Sequence, residues 1–220
     1  MAKSRRPQER VWKRKGGGPG ALAGAGALGA IDYPVGGRLT RFHSAWTSAN
    51  RWTRKVVKDG YRWQFKDGPP EGRGSRPRKE VSPEVDELLV EYKALGAIER
   101  SEEVRWLSTL RAIPKSSGGH RLIMNLRPLN VHIRKVSYKL PSTRDLRVAI
   151  SKGAWLIKVD IENAYFHVAI HTSLRDYLGF WWRKELWRFR VLPFGLTTAP
   201  AVFTGGHCVL HGLEPPLGIC

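Results

Sequence analysis

Hydrophobic positions are unevenly spread along the 220 residues, and their spacing predicts most of the elements. Behind Ser82-Pro83, apolar residues at Val85, Leu88, Leu89, Tyr92 and Leu95 keep helical spacing until Gly96 stops the run. Leu107–Pro114 and Arg121–Leu126 read as two strands around Lys115–His120, whose Ser-Ser-Gly-Gly centre suits a turn. Ser142–Ile150 predicts a short helix with Ser142 or Thr143 as its cap, and Ala154–Ile161 a buried strand rich in β formers. Tyr177–Trp182 and Leu186–Val191 flank Arg183-Lys184-Glu185 as a hairpin. Thr197–Leu210 completes the set as a helix capped by Thr197 or Thr198. Strands and helices mix without βαβ alternation, so the expected class is α+β. No internal repeat is present.

The first third follows another pattern. Residues 1–37 hold a basic head, with Arg5, Arg6, Lys13, Arg14 and Lys15, and then a Gly/Ala tract. Low hydrophobicity with high charge cannot offset the entropy of ordering, so a disordered arm that binds polyanions is expected. In residues 38–80, cations alternate with Phe42, Trp46, Trp52, Tyr61, Trp63 and Phe65. Such interleaving suits single strands, whose bases stack on rings while phosphates meet cations. The favoured reading is docking of this segment on the body that follows, or a link to it.

Composition narrows the partners. The net charge is +19, and residues 1–80 hold 19 Lys and Arg against six Asp and Glu. A basic arm beside a more balanced body favours nucleic acid or an anionic surface. No run approaches the roughly 18 apolar residues of a spanning helix; Ala21–Ile31 comes nearest, and Gly16–Ala30 reads as linker rather than signal peptide. The expectation is an intracellular protein, nuclear or cytoplasmic, without membrane partners. Two cysteines exclude a disulfide scaffold and a four-cysteine zinc module. His207, Cys208 and His211, or His167 and His171, lack the second ligand pair a zinc site needs.

Asp160 stands out at the end of the Ala154–Ile161 strand, since a carboxylate there is costly to bury unless paired or metal-bound. By itself an Asp is more often a salt-bridge partner than a metal ligand. Four segments change its meaning: Pro114–Ile123 with Asn125–Asn130, Tyr138-Lys139-Leu140-Pro141, Asp160–Phe166, and Val191-Leu192-Pro193-Phe194-Gly195 running on to Phe203. In this order and spacing they resemble the fingers and front palm of a reverse transcriptase, an RNA-directed DNA polymerase, most closely that of DIRS-like retrotransposons. Trp52–Pro70, with Asp59-Gly60-Tyr61, resembles the region preceding the polymerase in that group.

The resemblance implies a right-hand polymerase with fingers over 81–153, a partial palm over 154–211 and an unrelated tail over 212–220. It implies a two-metal mechanism, with Asp160 as catalytic Mg²⁺ ligand and the Ile161 carbonyl as a second oxygen. Lys115 and Arg121 match the cations that clamp the triphosphate. Tyr165 matches the steric gate against a ribose 2′-hydroxyl, although a core tyrosine is its plainer reading. Phe194 and Gly195 match the turn against which nucleotide and template base pack. Arg127 and Asn130 match structural or template-strand positions. The implied partners are an RNA or DNA template-primer and deoxynucleotides; oligomeric state is not implied.

The family's paired aspartates follow the Phe194-Gly195 motif by a few tens of residues, whereas here no Asp follows Asp176. One carboxylate cannot hold both metals, so the expectation is a truncated reverse transcriptase, inactive alone. A non-catalytic nucleic-acid-binding remnant and a non-functional product of a decayed element are the alternatives.

Overall fold

A computed structural model describes residues 33–75, 80–116, 118–138 and 161–210, with Ser142, Gly153 and Trp155. The predicted helix at 142–150 and strand at 154–161 lie outside the described residues, apart from Ser142, Trp155 and Ile161.

Helix α1 (Arg38–Arg41) and a 3₁₀ turn (His43–Ala45) lead to α2 (Arg51–Asp59), which the hydrophobic spacing does not predict. Asn50 caps α2, its side chain accepting from the Thr53 N–H at 2.8 Å. Val57 and Thr53 turn inward while cations cover the outer face. Gly60 then ends the helix at φ +89°, where a Cβ would lie 2.8 Å from the His171 nitrogen. From there the chain is extended and stitched on both sides. The Tyr61 N–H donates to the Ala169 carbonyl at 2.7 Å, and Phe65 bridges Ile133. Tyr61 and Trp63 are buried in the main core.

Helix α3 (Pro83–Ala94) buries Val85, Leu89 and Tyr92, the apolar stripe of the sequence. It feeds β1 (Ile98–Arg100), which pairs antiparallel with β5 (Glu185–Phe189); β5 pairs in turn with β4 (Gly179–Trp182). The β4–β5 turn uses Arg183 and Lys184, both left-handed at φ 49° and 64°, the geometry of a two-residue hairpin. Glu185 is thereby the first strand residue rather than part of the turn. Asp86 of α3 clamps this tip, accepting from the Trp182 indole at 2.6 Å and from Arg183 Nη2 at 2.7 Å.

A second sheet is the hairpin of β2 (Leu110–Pro114) and β3 (His120–Met124). β2 starts later than Leu107 because Leu107 bridges Gly74 and Gly179, and the Ser108 N–H donates to the Gly179 carbonyl. After α4 (Arg127–Asn130), a 3₁₀ turn (Ala164–His167), α5 (Thr172–Arg175) and a further 3₁₀ turn (Asp176–Leu178) precede β4; α6 (Ala199–Leu210) follows β5. Leu89, Leu122, Met124, Ile133, Phe166, Ile170, Phe180 and Leu192 form one buried cluster joining both sheets to α3. Beside it, Glu99 of β1 accepts from Arg188 Nε at 2.8 Å and Arg175 Nη1 at 3.2 Å, and Arg188 also pairs with Asp176.

Candidate nucleotide site

The β2–β3 hairpin brings two cations together for a simple reason. Ile113 pairs with Arg121 near the end of the ladder, and Lys115 opens the turn one residue past β2, so both cations lie at the hairpin tip. The turn is closed by the Lys115 N–H to the Gly119 carbonyl at 3.0 Å. Lys115 and Arg121, both exposed, line one cleft of about 230 Å³ with Ile113, Ser116 and Ile123.

Arg121 also reaches beyond the cleft lining, its guanidinium carbon 5.4 Å from the centroid of the Phe194 ring. The Phe194 ring meets Tyr165 at 5.0 Å and Phe166 at 6.2 Å, and Tyr165 meets Phe203 of α6 at 5.6 Å. Arg121, Phe194 and Tyr165, distant in sequence, are thus one contiguous cluster. Burial raises the Tyr165 phenol above its ordinary value, with Tyr138 nearby adding to the shift, so the ring is neutral at pH 7.

The turn carrying Phe194 is fixed by its surroundings. Gly195 has φ +112°, and a Cβ there would lie 2.4 Å from the Met124 carbonyl at the end of β3. Asn130 grips the turn from α4: its Nδ2 donates to the Gly195 carbonyl at 2.8 Å and its Oδ1 accepts from the Thr197 N–H at 3.0 Å. These bonds hold Thr197 in the turn, and α6 begins at Ala199 instead. Asn130 is therefore a positioning residue, the structural one of the two roles its motif implies, although its partners Gly195 and Thr197 were not legible there.

Ile161 is partly exposed and lines a different, apolar pocket with Trp52, Val202 and Phe203. Asp160 and the arm residues Arg5, Arg6, Lys13, Arg14 and Lys15 lie outside the described residues. Among the described residues, no three or more His, Cys, Asp or Glu side chains could hold a metal ion together. Of the two ligands expected for Mg²⁺ only Ile161 is described, and one carbonyl is no site for that ion.

Residues 113–206 match the family described as Reverse transcriptase (RNA-dependent DNA polymerase). This stretch is similar to the reverse transcriptase domain of retroelements. The matched segment takes in the hairpin from Ile113 onward, Tyr165 and the Phe194-Gly195 turn. The chain is 24% identical over 151 residues to the Transposon Tf2-3 polyprotein of Schizosaccharomyces pombe, covering 68% of this chain and 11% of that one. It is 31% identical over 104 residues to the genome polyprotein of Petunia vein clearing virus, covering 47% and 4%. The chain thus spans a small part of the curated relatives it matches. Its fold is similar to the prototype foamy virus protease–reverse transcriptase, with TM-score 0.54 at 15% identity over 79% of this chain and 26% of that one. The foamy viral protease–reverse transcriptase in complex with double-stranded DNA gives 0.54 at 14% identity, over 79% and 35%. Among the described residues, no helix is long and apolar enough to cross a membrane.

Proposed function

We propose that this chain supplies the fingers and front palm of a DIRS-like retroelement reverse transcriptase, and that its hairpin cleft takes the triphosphate of a deoxynucleotide. The observation that carries the reading is the stack of Arg121 on Phe194 and of Phe194 on Tyr165, beside a cleft that Lys115 also lines. Two cations lining one cleft suit the phosphates, since charge-assisted bonds to phosphate oxygens are the strong ones. A base or sugar entering from the cleft would meet the rings, with Tyr165 standing against a ribose 2′-hydroxyl and Gly195 leaving its backbone approachable. An RNA or DNA template-primer is the matching partner. Reverse transcriptases generally use divalent metals, which neutralise charge between the primer hydroxyl and the phosphates. The side chains of this chain bind the phosphates and orient the sugar, and Asn130 holds the turn beneath them. Within these 220 residues no Asp follows Asp176, and we infer that they do not polymerise by themselves.

The test is a titration of deoxythymidine triphosphate followed by tryptophan fluorescence, together with primer extension on the same protein. Loss of two phosphate contacts in the Lys115→Gln/Arg121→Gln variant is expected to weaken binding at least about tenfold. Equal binding by that variant and the parent chain would overturn the cleft as the triphosphate site. Template-directed synthesis abolished by Asp160→Asn would overturn the inactivity of the isolated chain.

A further inference from the structure

Helix α2 carries a surface that the nucleotide cleft does not use. Arg51, Arg54, Lys55 and Lys58 are all exposed on its outer side. Their spacings are three and four residues, so each cationic head has like charges as helical neighbours. Among the described residues, none of these four heads takes part in an ion pair or hydrogen bond. Among the described residues, Asp59 is the sole carboxylate lining the shallow groove, of about 490 Å³, that these cations share with the His43–Ala45 turn and the half-buried Trp46. A second groove, of about 370 Å³, is lined by Trp52 of the same helix with Arg62, Arg134 and Lys135. Neither groove shares a residue with the hairpin cleft.

We propose that the outer face of α2 binds single-stranded nucleic acid, its four cations meeting phosphates and Trp46 stacking on a base. Unrelieved repulsion along one helix face is what a polyanion removes, and release of its counterions drives the association. An aromatic among the cations adds a contact that exposed bases satisfy and paired bases do not. A membrane surface fits less well. Helices that lie on lipid insert their apolar face, whereas α2 has buried Val57 and Thr53 in the protein. The face is rigidly mounted, capped by Asn50 at one end and held at the other by the Tyr61 and His171 backbone bonds.

The experiment uses the full 220-residue chain and a fluorescein-labelled oligothymidylate, with anisotropy titrations over a range of salt concentrations. Replacing Arg51, Arg54, Lys55 and Lys58 by Gln is expected to weaken binding more than about tenfold at low salt. It should also flatten the plot of log affinity against log salt by about 3, at about 0.7 per phosphate contact. Restoring charge with lysine at all four positions should restore the slope, which separates lost charge from lost fold. Trp46→Ala should weaken binding with the slope unchanged. An unchanged slope in the four-Gln variant would overturn the proposal, as would duplex DNA of the same length binding the parent chain equally well. Lys115→Gln/Arg121→Gln should leave the salt slope on this oligonucleotide intact, so failure of the triphosphate site and failure of this face are told apart.

Discussion

Gly195 shows how closely one residue can be specified by a neighbour remote in sequence. Its φ of +112° is one that side chains rarely adopt, and the missing Cβ would sit 2.4 Å from the Met124 carbonyl. Backbone on both sides leaves nothing flexible to yield. Gly195→Ala is therefore expected to cost about 2 kcal/mol or more, from strain and from retreat of the turn off β3. Urea denaturation measures that loss, and the Phe194–Arg121 stack should loosen with it; a variant as stable as the parent would contradict the geometry. Gly195 was legible as part of a turn motif. That Met124 is what it approaches was not.

At the scale of elements, the β4–β5 hairpin is built against local preference. Two-residue turns favour Asn-Gly because both central residues are left-handed, yet here Arg183 and Lys184 take those conformations. Tertiary contacts hold them: Asp86 binds Arg183 and the Trp182 indole, and these partners keep its carboxyl below the ordinary carboxylate range. Lys184→Gly relieves one strained residue without touching the clamp. It should stabilise the fold by about 0.5–1 kcal/mol, read as a rise in melting temperature. The hairpin itself was visible from two aromatic-rich runs around a charged triplet. The omission of α2 has a comparable cause. Its apolar positions are few, and its nine residues read locally as a basic, aromatic tract. Only packing against the body shows which side is inner.

Over the whole molecule, titration should report how the two half-buried histidines sit. Burial holds His167 below the ordinary 6.5, and burial followed by the Arg62 charge does the same for His171. Both are thus neutral in the folded protein near pH 7. The unfolded chain binds these protons as pH falls through about 6.5, whereas the folded chain resists until lower pH. Stability is accordingly full above that value and declines below it, with carboxylates such as Asp86 contributing only at still lower pH. Melting temperature should fall between about pH 7.5 and 5.5, and the fall should shrink in a His167→Gln/His171→Gln variant. A flat profile in the parent chain would contradict the burial of both rings.

The α+β mixture, the presence of both hairpins, the α3 stripe and the order of the motifs that resemble a reverse transcriptase were all determined by the sequence alone. Spacing and turn chemistry act within a few residues, so they can be read without a partner. The tertiary structure decided what those motifs touch. Asn130 reaches Gly195 across 65 residues of chain, Arg121 lies over Phe194, and Tyr61 and Trp63 leave a basic tract to enter the core. Periodicity records that a face is buried, and carries no information on which element buries it. That choice belongs to packing, where one arrangement closes the core, satisfies the turn at Gly195 and leaves the cations of α2 facing solvent.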